Sequence, residues 1–191
     1  MLVHGLLDSP AVFDGLKREL GGGRQPLLTP ALPLKLGRTS VLEAAELLGS
    51  HIEAAFGLEQ PLDLLGFSIG GVIVRCWIQL LGGHARTRRF VSVGSPQQGT
   101  LTALPWPGQI FRGIADLRWG SPLLARLNGD LARLQRIDCH SFYSALDLAV
   151  LPGWGAVLPV GPRTLLPVLT HPQLVRDRAA LVPLARELLR G

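Results

Sequence analysis

Short apolar runs alternate along this chain with longer stretches whose apolar residues recur at helical spacing. That alternation predicts an α/β domain, a parallel sheet flanked by helices. The first run is Leu2-Val3. Ser9 then suits an N-cap, with Pro10 at the first helical position and Phe13, Leu16 and Leu20 on one face. Gly21-Gly22-Gly23 stops that helix. Residues 25–28 read as a second strand, ended by Pro30 and Pro33. Ser40-Val41-Leu42-Glu43 is a capping box opening a helix to about Phe56, with Gly57 at its end. A strand over 61–66, a helix over 69–81 and a strand over 89–94 follow. Residues 100–136, with Pro105, Trp106, Pro107, Phe111 and Trp119, break the rhythm and read as a lid-like insert. Strands over 140–146 and 163–169 come next. The last helix runs to about Leu189, and Pro183 should delay or kink it. The count is about six strands in a single domain over 1–191, without repeats.

Composition narrows the class. Hydrophobic residues make up 47% and charged residues 17%, which supplies a large core and excludes a disordered chain. A net charge of +5 raises the question of nucleic acid. The arginines are scattered from Arg18 to Arg190, however, and the densest run, Arg86 to Arg89, has no aromatic residues interleaved. Nucleic-acid binding is therefore not expected. Leu2-Val3-His4-Gly5 follows Met1 at once and reads as structure, not as a leader. No apolar stretch reaches the roughly 18 residues of a membrane span. The expectation is a soluble, cytoplasmic protein with no stable membrane insertion. Cys76 and Cys139 read as small core residues. No histidine pair has metal-ligand spacing and no P-loop is present, so neither metal nor cofactor is expected.

The chemistry starts at Gly66-Phe67-Ser68-Ile69-Gly70-Gly71, a G-x-S-x-G motif between an apolar strand and an apolar helix. Such a strand-to-helix turn strains Ser68 and exposes its hydroxyl at a helix N-terminus, where developing negative charge is favoured. A serine hydroxyl needs a positioned base. His51 lies within a helix, His84 in a turn, His140 at the start of a strand, and His4 at the end of the first strand. His171 follows the last strand and should lie at the carboxyl edge of the sheet, beside Ser68. Its alternative is an ordinary loop histidine. The acid that orients the base should fall between them in sequence. Asp116 and Asp130 lie in the insert, Asp138 precedes its strand, and Asp177 resembles a helix cap. Asp147 ends the run Phe142-Tyr143-Ser144-Ala145-Leu146-Asp147 and is the expected acid. The oxyanion donors expected are the N–H groups of Ile69 and of Leu6, the latter in a loop that Gly5 lets approach. His4 should be structural there.

These residues resemble the bacterial lipase and esterase branch of the α/β hydrolases, which includes small triacylglycerol lipases. Leu2-Val3-His4-Gly5 looks like its opening strand and oxyanion loop, and 62–71 like its nucleophile elbow. Val93-Gly94-Ser95-Pro96-Gln97-Gln98-Gly99-Thr100 is similar to its next strand and loop, and 120–128 to a segment beyond the lid. Asp147 and His171 fall where that pattern has acid and base. Phe67 stands where members often have His, as does Gln97 or Gln98. The resemblance implies a minimal version of the fold that begins at the strand larger relatives number third. It implies hydrolysis of a small-molecule ester or lipid with an apolar acyl or alcohol part through an acyl-enzyme. A thioesterase, amidase or acyltransferase could use the same triad, and a non-catalytic binding protein could use the same fold. Trp106 and Phe111 would form an apolar substrate wall, or else pack in the ordinary way.

Overall fold

The computed structural model describes residues 1–190 and arranges them around one parallel sheet in the order β1-β2-β3-β4-β5. The strands are β1 (Leu2–Val3), β2 (Leu62–Phe67), β3 (Thr87–Val93), β4 (Asp138–Tyr143) and β5 (Arg163–Leu165). The α-helices are α1 (Asp14–Leu20), α2 (Val41–Phe56), α3 (Ile69–Leu80), α4 (Arg112–Ala115), α5 (Pro122–Gly129) and α6 (Arg178–Leu189). Strand neighbours are also neighbours in sequence, so every crossover steps in one direction. Right-handed connections then carry α2, α3 and α5 over one face, while α1, which precedes α2 in the first crossover, covers the other with α6.

The two cores follow from this. Leu48 and Ile52 of α2, Ile73 of α3 and Leu127 of α5 pack with Val3, Leu64 and Phe90. On the other face Leu16 and Leu20 of α1 and Leu181 and Leu184 of α6 pack with Leu2, Leu65 and Val91. Adjacent residues such as Leu64 and Leu65 enter opposite cores because strand side chains alternate faces. Burial on both faces is why the central strands read as continuous apolar runs. The α2 capping box forms: Ser40 Oγ accepts from the Glu43 N–H at 3.2 Å, and Glu43 Oε2 accepts from the Ser40 N–H at 2.8 Å.

The sheet has five strands, not six. Residues 25–28 contribute one hydrogen bond to β1, from the Leu2 N–H to the Leu28 carbonyl. Pro26 lies inside this run and has no N–H to give a ladder. β4 stops at Tyr143, before Leu146. There the Ser144 hydroxyl accepts the Leu146 N–H and donates to the Val168 carbonyl at 2.6 Å, turning the chain out of the sheet. β5 stops at Leu165, two residues before Pro167. Pro183 neither delays nor ends α6, which starts at Arg178 behind an Asp177 cap and runs past it. Leu181, Leu184 and Leu188 hold that helix in the core.

Residues 100–136 are built into the molecule. Ala103, Ile114, Leu117, Leu124, Leu127 and Leu134 all belong to the α2/α3 core. Thr100 donates its N–H to the Leu117 carbonyl at 2.8 Å, closing the segment on itself. Asp116 Oδ2 accepts the Val41 N–H at 2.8 Å, tying it to the start of α2. Arg75 of α3, fully buried, donates to Gln79 Oε1, the Gln97 and Leu127 carbonyls and Asn128 Oδ1 at 2.7–3.0 Å. Burial draws its pKa down to about 10, and its acceptors are all neutral. Among the described residues no helix is long and apolar enough to cross a membrane, and no cluster of His, Cys, Asp or Glu suits a metal ion.

Candidate active site

Ser68 joins β2 to α3 at φ 57° and ψ −134°, outside the conformations that L residues favour. Glycines make the turn possible. A Cβ on Gly66 would lie 2.6 Å from the Gly71 nitrogen, and one on Gly70 would lie 2.6 Å from the His4 carbonyl oxygen. The Ser68 N–H is anchored on the Val93 carbonyl at 2.9 Å. β1, β2 and β3 thus meet at this residue, at the carboxyl edge of the sheet.

Asp147 and His171 come from the loops after β4 and β5. Asp147 is 1% exposed, and its Oδ2 lies 2.6 Å from His171 Nδ1. Its Oδ1 accepts the Ala149 and Val150 N–H groups at 2.8 and 3.3 Å. The carboxylate is therefore fully employed and cannot swing away. Donation from Nδ1 to Asp147 leaves Nε2 as the acceptor nitrogen of a neutral ring. Nε2 is buried with no hydrogen-bond partner among the described residues. The ring stacks on Phe67 at 4.7 Å. Neither side chain is on a strand: Asp147 lies beyond the end of β4, and His171 opens a 3₁₀ turn, His171–Val175, six residues after β5. Thr170 and Gln173 cap that turn.

Ser68 and His171 open on one cavity of about 370 Å³, walled also by Leu6, Ile69, Trp106, Ile114 and Leu117. Neither the Leu6 nor the Ile69 N–H has an acceptor among the described residues. Trp106 lines the cavity, whereas Phe111 does not. The Phe111 ring meets Trp106 edge-on at 5.1 Å and packs against the core behind it. The short α4 that Phe111 precedes turns it inward, and Ile114 and Leu117 take the wall position expected of it.

None of the other histidines lines this cavity. His4 Nε2 accepts the Leu32 N–H at 3.0 Å and its Nδ1 lies 2.8 Å from the Gly5 carbonyl, a structural tie of the first loop. His140 Nε2 is hydrogen-bonded with Thr164 Oγ1 at 2.8 Å, and its Nδ1 lies 3.3 Å from Glu187 Oε2. His51 and His84 lie away from the cavity. Three participants escaped the sequence reading. Gly94 has φ 53°, and a Cβ there would sit 3.3 Å from His171 Cε1 and 3.4 Å from Asp147 Oδ2. Thr100 Oγ1 accepts the Leu151 N–H at 2.9 Å, joining the insert to the Asp147 loop. Asp8 stands on the cavity wall. Only Gly94 left a signal, as a glycine directly after a strand.

Comparison with known proteins identifies the family and the fold. The palmitoyl protein thioesterase family profile matches residues 39–136, just over half of the chain. No curated protein is recognisably similar in sequence. Among solved structures, the mature lipase BlEst2 of Bacillus licheniformis superposes with a TM-score of 0.76 at 14% identity, over 100% of this chain and 91% of that one. Aspergillus fumigatus lipase B gives 0.77 at 17% identity, over 100% of this chain and 52% of that one. Phospholipase PlaB of Legionella pneumophila gives 0.78 at 14% identity, over 99% and 57%. The chain thus spans little more than half of the latter two. At these identities the superpositions establish the α/β-hydrolase fold.

Proposed function

Because the chain belongs to the palmitoyl protein thioesterase family and is a hydrolase, we propose that it cleaves esters and thioesters of apolar acyl groups with Ser68 as nucleophile, His171 as base and Asp147 as orienting acid. The observation that carries the reading is the unpartnered His171 Nε2, which shares a cavity with a strained Ser68 while Asp147 holds the opposite nitrogen. In the first step the Ser68 Oγ–H proton passes to Nε2 as Oγ bonds the carbonyl carbon. The carbonyl electrons move onto oxygen, and the N–H groups of Leu6 and Ile69 receive the oxyanion; a donor of this kind is typically worth about 3 kcal/mol. Collapse expels the alcohol or thiol, which takes the proton from His171. Water then repeats the sequence on the acyl-enzyme and releases the acid. Asp147 keeps the ring in the tautomer this requires and stabilises its protonated form.

Trp106, Ile114 and Leu117 would face the acyl chain, where each buried methylene contributes about 0.8 kcal/mol. The family match favours thioesters, which the sequence reading held as an alternative, alongside oxygen esters. The test is turnover of a hexanoyl thioester and its oxygen ester. The wild-type protein should hydrolyse both and Ser68→Ala neither; comparable rates in the two proteins would overturn the assignment.

A further inference from the structure

Asp8 belongs to the loop that follows β1, two residues after Leu6. Of the residues on the cavity wall, only Asp8 and His171 are ionisable, and no lysine or arginine is among them. With His171 neutral, the single formal charge facing the cavity is negative, in a chain whose net charge is +5. The carboxylate is also close to the reacting atoms. The point where a Gly5 Cβ would stand is 2.6 Å from Asp8 Oδ2 and 3.0 Å from Ser68 Cβ. A carboxylate at that range opposes a developing oxyanion, so its presence calls for a substrate that makes use of it.

The side of the cavity on which Asp8 lies says which part of the substrate it would meet. His171 hands its proton to the leaving atom, so the leaving group faces His171. Beyond it runs a second groove, between the Leu7-Asp8-Ser9 loop and the end of the His171 turn, lined also by Asp14, Arg18, Val175 and Arg176. Of its four charged groups Asp8 alone also walls the main cavity. Arg176 Nη2 lies 3.9 Å from Asp8 Oδ1, on a side chain 64% exposed and so only a weak counter-charge. The apolar wall of Trp106, Ile114 and Leu117 offers the acyl chain a place with no charge at all.

We propose that Asp8 makes the leaving-group side of this cavity a cation subsite, selecting esters and thioesters whose alcohol or thiol part carries an ammonium group. This rests on Ser68 and His171 acting as described above. The test uses three thioesters with one acyl chain: butyrylthiocholine, its uncharged isostere with tert-butyl in place of trimethylammonium, and the butyryl thioester of 3-mercaptopropionate. Wild-type kcat/KM should fall in that order, by about fivefold per step, the scale of one partly screened charge pair. Asp8→Asn should abolish the ranking and raise turnover of the uncharged ester, since the oxyanion loses a repelling neighbour. Arg176→Ala, on an exposed side chain, should widen the ranking. A wild-type protein that hydrolyses the uncharged ester through Ser68 without a ranking, or a ranking that Asp8→Asn leaves in place, would overturn the subsite alone. Turnover of all three by Ser68→Ala, or of none by wild type, would overturn the Ser68 reading and the subsite with it.

Discussion

Two imidazole–carboxylate pairs lie along the same sheet. His171 meets Asp147 at 2.6 Å beyond the carboxyl ends of the strands, and His140 meets Glu187 at 3.3 Å on β4, where α6 ends. Both rings stack on a phenylalanine, Phe67 at 4.7 Å and Phe142 at 4.2 Å. Both have a hydroxyl residue nearby. The difference lies in the remaining nitrogen. His140 Nε2 is bonded to Thr164 Oγ1 at 2.8 Å, and Glu187 is further shared with Arg89 and Arg190. Both His140 nitrogens thus face a partner, and the pair stands away from the cavity that Ser68 lines; Glu187 and Arg190 instead line a groove along α6. His171 Nε2 has no partner and opens on a cavity beside a residue at positive φ. On the function proposed above, a hydroxyl residue, an imidazole and a carboxylate brought together do not by themselves make a reactive site. The unfilled nitrogen and the carboxyl edge of the sheet distinguish one set from the other.

The largest expected effect breaks the symmetry outright. Ser68→Ala, His171→Ala and the double variant should each lose turnover by about 10³-fold or more, and by similar amounts, because each removes the same activation step. His140→Ala and Thr164→Ala should stay within about threefold of wild type, since they touch neither substrate nor base. Steady-state kinetics on one activated ester reads all five. Comparable losses at His140 and His171 would contradict the contrast.

The next effect separates cavity wall from core. Trp106→Ala should lower kcat/KM for an octanoyl ester about tenfold more than for the acetyl ester, as loss of contact with several methylenes implies. Phe111→Ala should cost stability instead, about 2 kcal/mol by urea denaturation, and shift chain-length preference less. A larger chain-length effect at Phe111 would place it on the wall after all.

How much of this was legible in the sequence depends on how local each feature is. The elbow could be read because Gly66, Ser68 and Gly70 meet their constraint within a few residues, as do Ser40 and Glu43 in the α2 cap. His171 and Asp147 were chosen by order and by exclusion, and the structure brings them together although neither sits on a strand. What hid this was the Ser144 hydroxyl, whose bond to the Val168 carbonyl turns β4 out of the sheet early. The extra strand over 25–28 came from apolar Leu27 and Leu28, whose pattern outweighed the missing donor of Pro26. The Arg75 network was invisible, because its acceptors lie 4 to 53 residues away along the chain. Phe111 misled for a related reason: an aromatic residue in an insert carries no mark of which way a four-residue helix will turn it.

Smaller effects probe the pair of His140 and Glu187. His140→Ala should destabilise the fold by about 1–2 kcal/mol without loss of activity, because it strands Thr164 and Glu187 beside α6. Denaturant midpoints measure this; an unchanged midpoint would show that the pair does not tie β4 to α6. Asp138, in the same charged network, supplies the smallest. Burial pushes its carboxyl pKa up, but hydrogen bonds and charges from Arg89 and Arg190 outweigh this and hold it below the ordinary value. A depressed carboxyl stabilises the fold above its unfolded pKa, and the contribution is lost as pH falls through the folded one. Asp138→Asn should therefore be less stable than wild type at neutral pH, by about 0.5 kcal/mol after solvent screening, with the gap closing under acid conditions. A gap that widens on acidification would reverse the sign and the explanation.

The central claim, that His171 and not His140 activates a hydroxyl in this molecule, is tested most directly by fluorophosphonate labelling followed by peptide mapping. The adduct should form on Ser68 in the wild-type protein and in His140→Ala, and labelling should become at least about a hundredfold slower in His171→Ala. An adduct on Thr164, or labelling of Ser68 at an unchanged rate in His171→Ala, would contradict it.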